Sequence, residues 1–155
     1  MRESKNRKRV VSGLIGLFCL LMYYPIYRFF LNDALCIAAK KGDNAEVTSL
    51  LNRGANIDGR GWQYMTPLLN AVEGEQTNTV VFLLNIGADI ETANNLNTPL
   101  FWAITRGDIK TVQVLLKHRA NLNAKDAWGK TVLARAREYK HPEIEKVLRQ
   151  AGAKE

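Results

Sequence analysis

The residues that most enzymes depend on are scarce in this 155-residue chain. There are three serines and two histidines: Ser4 lies in a basic tail, Ser12 in an apolar run, Ser49 inside a helix-like pattern, and His118 and His141 stand far from all three. Metal-ligand spacings such as CxxC or HExxH are absent. Glycines come in ones and twos at turns, so no phosphate-cradling loop exists. The carboxylate pair Glu73/Glu75 sits in a turn-like stretch, as solvated acidic residues do. Two cysteines remain. Cys19 lies in the apolar run and Cys36 beyond it, in different media, so no disulfide is expected and both read as small hydrophobes. These absences exclude catalysis, a metal site, a cofactor and a small-molecule substrate from the expectation.

Acidic charge is also short, with 22 Lys and Arg against 15 Asp and Glu, a net +7. The surplus is local. Residues 1–31 carry Arg2, Lys5, Arg7, Lys8, Arg9 and Arg28 against Glu3, a net +5 of the total. The remainder is nearly balanced and offers little to a phosphate backbone, so nucleic acid is not an expected partner.

The one long apolar run begins at Val10. Residues 1–9 are polar and basic, and residues 10–27 carry no charge. Val10 to Leu31, interrupted only by Arg28, is long enough to span a hydrocarbon core of about 20 residues. Tyr23, Tyr24 and Tyr27 suit an interfacial belt, and Pro25 is expected to kink or end the helix. A cleaved signal peptide needs small residues before the cut, yet none of Ala, Gly, Ser or Thr occurs between Met22 and Asp33. The pattern therefore predicts a basic cytoplasmic tail (1–9), an uncleaved transmembrane signal anchor (10–31) and a domain over 32–155. By the positive-inside rule the tail stays in the cytoplasm and the domain lies beyond the inner membrane, in the periplasm if the source is a bacterium with two membranes.

The domain repeats itself. Thr66-Pro67-Leu68 recurs as Thr98-Pro99-Leu100 and as Thr131-Val132-Leu133. Twenty-one residues after each Thr come Gly87-Ala88, Arg119-Ala120 and Gly152-Ala153, and the same offset back from Gly54-Ala55 reaches Asp33. Units thus start at 33, 66, 98 and 131. Thr and Asp suit a helix N-cap and Pro the first turn. Small residues follow at Ala38, Ala39, Ala71, Ala103 and Ala136, where helices must approach closely. Second helices are expected at 47–51, 79–84, 111–116 and 144–148, with Gly54, Gly87 and Gly152 closing them in left-handed geometry. Arg119 stands where a glycine is expected, at a cost of about 1 kcal/mol if the geometry is kept.

This period with its TPL start resembles the ankyrin repeat. The resemblance implies an all-α solenoid of about four helix-turn-helix units with hairpin loops (33–65, 66–97, 98–130, 131–153), preceded here by one transmembrane helix. Departures from the family pattern are the missing His after TPL (Leu69, Phe101 and Ala134 stand there), a second hairpin one residue short, Gly74 one place early, and Tyr64 and Leu96 in place of a small hairpin residue. His141 falls where the family often carries Gly-His, a structural position. The charged fourth unit reads as a solvated cap.

Family members bind other proteins through hairpin tips and first helices. Carried over to this sequence, the contact positions are Trp62, Gln63, Met65, Glu73 and Gly74; Asn94, Asn95, Asn97, Thr105 and Arg106; Ala127, Trp128, Lys130, Glu138 and Tyr139; and Lys40 and Lys41. Trp62 and Trp128 stand out because large aromatics on loop tips often dominate interfaces, although each can instead fold back onto a neighbouring hairpin. Trp102, within a first helix, reads as packing. The expected function is a membrane-anchored protein-interaction module displayed outside the cytoplasm. By analogy with small bacterial ankyrin proteins, an immunity protein against a periplasmic toxin is an alternative, and a scaffold or assembly factor of a membrane complex is another.

Overall fold

The computed structural model describes residues 24–94 and 97–154. Eight helices lie among them: α1 (24–41), α2 (Asn44–Asn52), α3 (Pro67–Glu73), α4 (Thr77–Asn85), α5 (Pro99–Arg106), α6 (Ile109–Lys117), α7 (Val132–Glu138) and α8 (Pro142–Gln150). Odd and even helices pair antiparallel-wise in sequence order, and each pair stacks on the next, α3 on α5 on α7 and α4 on α6 on α8. Hairpin loops join one pair to the next. The repeat solenoid expected from the period is what forms.

Local chemistry sets each boundary. Thr66 and Thr131 are extended, and their hydroxyls accept from the Leu69 and Ala134 N–H at 3.3 Å. Thr98 has the same backbone shape but no side-chain cap bond, so Pro99 alone marks that start. Asp43 and Asp108 cap α2 and α6 through Glu46 and Thr111. Two rows of left-handed residues recur with the repeat: Gly42, Glu75, Gly107 and Lys140 between the paired helices, and Gly54, Gly87, Arg119 and Gly152 after the second helices. Arg119 keeps the glycine geometry, with φ 65°. Gly74 is needed for a different reason. A Cβ there would lie 2.2 Å from the Lys40 carbonyl oxygen of α1.

The core is one continuous seam. Ala38, Ala71, Ala103 and Ala136 are buried on the first helices, and Val47/Leu50, Val80/Leu83 and Val112/Leu115 on the second. Burying each branched side chain is worth about 1.5–3 kcal/mol. In the last unit the position of these valines is taken by Glu145, which binds Arg137 at 2.8 Å and Arg149 at 2.7 Å. The first hairpin is fastened to α1, and the later hairpins to one another, by acceptors on backbone amides. Asn32 accepts from Asn56, Asp58 from Asp89, and Glu91 from Asn121, at 2.7–2.9 Å.

The N-terminal expectation needs correction. The predicted anchor over 10–31 is not supported. Among the described residues no helix is long and apolar enough to cross a membrane. Residues 24–31 are the opening turns of α1, which runs through Pro25 and on to residue 41 past Arg28, Asn32 and Asp33. Leu31 is 4 % exposed and belongs to the solenoid core. The stretch that an anchor would end on is therefore part of the first repeat. The single-pass inner-membrane topology and periplasmic display rested on that anchor and are withdrawn with it. The rest of the proposed anchor, 10–23, and the tail 1–9 lie outside the described residues. Asp33 is likewise not a cap. It sits mid-helix, and its carboxylate accepts the Trp62 N–H at 2.9 Å, pinning the first hairpin to α1.

Replacing Arg119 by Gly should relieve the left-handed strain and raise unfolding free energy by about 1 kcal/mol. Gly74→Ala should lower it by at least as much, because α3 must move off α1. Thermal denaturation followed by circular dichroism reads both.

Candidate functional site

Hairpin tips and first helices carry the exposed large side chains. Trp62 is 77 % exposed and Trp128 70 %. Neither is loose. The Trp62 backbone is held by Asp33, and its ring meets Phe29 edge-on at 6.4 Å between centroids. Trp128 sits on a tip organised by Asp126, whose carboxylate accepts the Trp128 N–H at 2.8 Å and the Lys130 N–H at 2.9 Å. The same carboxylate binds the Arg135 guanidinium of α7, and both residues are buried. Arg135 in turn lies 4.6 Å from the centre of the Trp128 ring and 5.9 Å from that of Tyr139. Its other contact is Glu138 at 2.9 Å, and Glu138 takes Lys130 at 2.8 Å. One buried cation thus orders two aromatic rings and a lysine. A cation against a ring face adds about 0.5–2 kcal/mol.

The electrostatics follow from this arrangement. Burial pushes the Asp126 carboxyl up, but the amides of Lys130 and Trp128 and the Arg135 guanidinium outweigh it and hold it below the usual carboxylate range. The Lys130 ammonium and Arg135 similarly hold Glu138 low. Cys36 is the opposite case. Burial pushes its thiol up to about 12, and its S–H donates to the Met65 carbonyl at 3.3 Å, so it is an inert packing residue.

The remaining contact positions divide. Gln63, Arg106 and Ala127 are exposed with the tryptophans, Glu138 and Tyr139. Asn94, Asn97, Thr105 and Lys130 are half-buried. Asn94 and Asn97 exchange both backbone hydrogen bonds at the second tip, closing it over four residues where the first and third tips close over five, 61–65 and 126–130; this is the missing residue of that loop. Asn95 lies outside the described residues. Met65 is 4 % exposed and presents no side chain to a partner. Glu73 is tied to Lys40 at 3.0 Å and Arg106 at 3.6 Å, and Arg106 reaches Glu75 at 3.7 Å, forming a ladder across three units. Those residues stitch the stack as well as facing solvent. Lys41 is exposed at the end of α1. Trp102 is half-buried against the core, as packing requires, with its indole N–H unpartnered. Asn97, Trp102, Thr105, Trp128, Arg135 and Tyr139 line a small cavity of about 110 Å³ between the third and fourth units.

Residue-level reasoning missed Arg60, Phe29 and the organising role of Asp126 and Arg135. The sequence signal for Tyr64 was present, as a bulky residue at a small-residue position. It is left-handed, with φ 56°, and 73 % exposed.

The geometry defines a class, a helical-repeat scaffold with rigid aromatic loop tips turned outward. Residues 90–155 match the family described as ankyrin repeats (3 copies). The chain is similar to ankyrin repeat and SOCS box protein 11 of Danio rerio, 38 % identical over 96 residues (62 % of this chain, 33 % of that protein). It is also similar to the ankyrin repeat and KH domain-containing protein mask of Drosophila melanogaster, 37 % over 105 residues (66 % and 3 %). A third relative is the transient receptor potential cation channel subfamily A member 1 homolog of Caenorhabditis elegans, 30 % over 147 residues (92 % and 12 %). The chain spans a third or less of each of these relatives. They are animal proteins and give no support to a bacterial source or to an immunity role, which are withdrawn. Ankyrin repeats are interaction modules and not catalysts, and the chain carries no catalytic motif; among the described residues no His, Cys, Asp or Glu cluster could hold a metal.

Asp126→Ala should leave the buried Arg135 to Glu138 alone and the Trp128 and Lys130 amides without their acceptor, at a cost of about 2 kcal/mol, with a change in tryptophan emission as Arg135 shifts against the Trp128 ring. Because the Asp126 pKa is depressed in the fold, its contribution is present above the unfolded value near 3.9 and is lost as pH falls through the lower folded value. Denaturant midpoints measured from about pH 6 down to 2 should therefore drop at the acid end, and less so in the Asp126→Asn variant.

Proposed function

We propose that this chain is a protein-binding ankyrin-repeat module that engages its partner through hairpin tips and first helices. One observation carries the reading. Two tryptophans at separate tips are held rigid by their own backbone and ring contacts while most of their surface faces water. A large aromatic left exposed forgoes burial worth about 1.5–3 kcal/mol, which a partner restores. Fixing the rings beforehand reduces the ordering cost on binding. Gln63, Asn94, Asn97, Thr105, Arg106, Lys130, Glu138 and Tyr139 supply the polar surround that such anchors have at interfaces. Asn95 is assigned to the same face by its place in the repeat. Two of the relatives' names join ankyrin repeats to a SOCS box or a KH domain, and the third is that of a cation channel subfamily member. No partner is carried over from them.

The test is capture of a partner by the full-length chain, compared with Trp62→Ala and Trp128→Ala. Each substitution should weaken binding at least tenfold, equivalent to about 1.4 kcal/mol or more. If both variants stay folded by circular dichroism and capture as well as the parent, the tips are not the binding face.

A further inference from the structure

At the Trp62 end of the face just described, the first hairpin and α1 form an open cavity of about 540 Å³ lined by Phe29, Arg60, Gly61, Trp62 and Tyr64. Its volume is in the range of pockets that bury a small ligand, about 300–1,000 Å³. Three walls are aromatic. The fourth is a guanidinium fixed in place: Arg60 donates from Nη1 to the Tyr64 carbonyl at 2.6 Å and from both terminal nitrogens to the Ala93 carbonyl at 3.1 Å. Carbonyls orient the cation without cancelling its charge. The acidic groups of these loops are committed elsewhere, Asp33 to the Trp62 amide, Asp58 to the Asp89 amide and Glu91 to the Asn121 amide. Among the described residues no carboxylate lies within ion-pair distance of Arg60. Tyr64 holds a left-handed conformation unusual for a bulky residue, with its ring exposed instead of packed.

We propose that this cavity receives a partner segment in which an aromatic or branched apolar side chain stands beside a carboxylate. The apolar group fills the space between Phe29, Trp62 and Tyr64, and the carboxylate pairs with Arg60. Arg suits this task because its planar fork matches a carboxylate. A single cation favours a carboxylate over a nucleic-acid strand, whose binding relies on several phosphate contacts. The proposal rests on the protein-binding reading and adds the chemistry of what is bound at the Trp62 end of that face.

The full chain is titrated into a fluorescein-labelled peptide in which phenylalanines alternate with aspartates, followed by fluorescence anisotropy. It should bind at least tenfold more tightly than the same peptide with lysine for aspartate or with serine for phenylalanine, and more weakly as salt rises. Phe29→Ser, which leaves the Arg60 clip intact, should weaken binding of the acidic aromatic peptide about tenfold, and Arg60→Gln should abolish the preference over the lysine peptide. Equal binding of acidic and basic peptides, no binding of the acidic aromatic one, or equal displacement by single-stranded oligothymidine would overturn the proposal. Trp128 lies outside this cavity. Partner capture that still depends on Trp128 while the peptide fails to bind would remove the cavity's assignment and leave the interaction module standing.

Discussion

Stacking holds this molecule together. No helical pair can bury its apolar side alone; each seven- to nine-residue helix is too short to persist in isolation, as helices below about 12–15 residues are marginal in water. Stability comes from laying one pair on the next, which the buried alanines permit by bringing backbones close and which the Val and Leu rows reward by removing apolar surface from water. The left-handed residues, the hydroxyl caps and the carboxylate-to-amide links between hairpins all serve to present the same shape at the same interval. The tips then inherit their rigidity from the stack. Trp62 is held through Asp33 of α1, and Trp128 through Arg135 of α7, so the display surface is an extension of the packing.

The period, the units and most of the core were legible because each signal is local. A TPL start, a run of small residues and a glycine at fixed offsets specify a helical pair without reference to the rest of the chain. Even Arg119 at a left-handed position could be anticipated, since the repeat demands the geometry whatever the residue. The place of both tryptophans on loop tips was legible too, whereas their exposure was not, since either ring could have folded back onto a neighbouring hairpin.

What failed did so where one pattern has two physical meanings. An apolar helical stretch with aromatics looks alike whether lipid or a neighbouring repeat is to cover it, and of residues 24–31 Leu31 belongs to the second case. Asp33 was read as a cap because the repeat offset ends there, yet helix already precedes it. Met65 directly follows three exposed residues, Trp62, Gln63 and Tyr64, and only the turn geometry shows that it points inward. Arg60 and the Asp126–Arg135 pair were invisible because their partners come from other units, where the register of stacked loops, not spacing along one unit, decides who meets whom.

A pile of near-identical blocks has two ends and no inherent reason to stop growing. At one end of this pile the answer is chemical. Glu145 replaces the branched residue that every earlier block offers to its successor, and it is clasped by arginines. Another molecule settling on that end would have to strip water from a cluster of ions and find no apolar row to meet. That face therefore presents paired charge where the earlier blocks present a valine, and desolvating the ions would cost an apolar neighbour more than contact there returns.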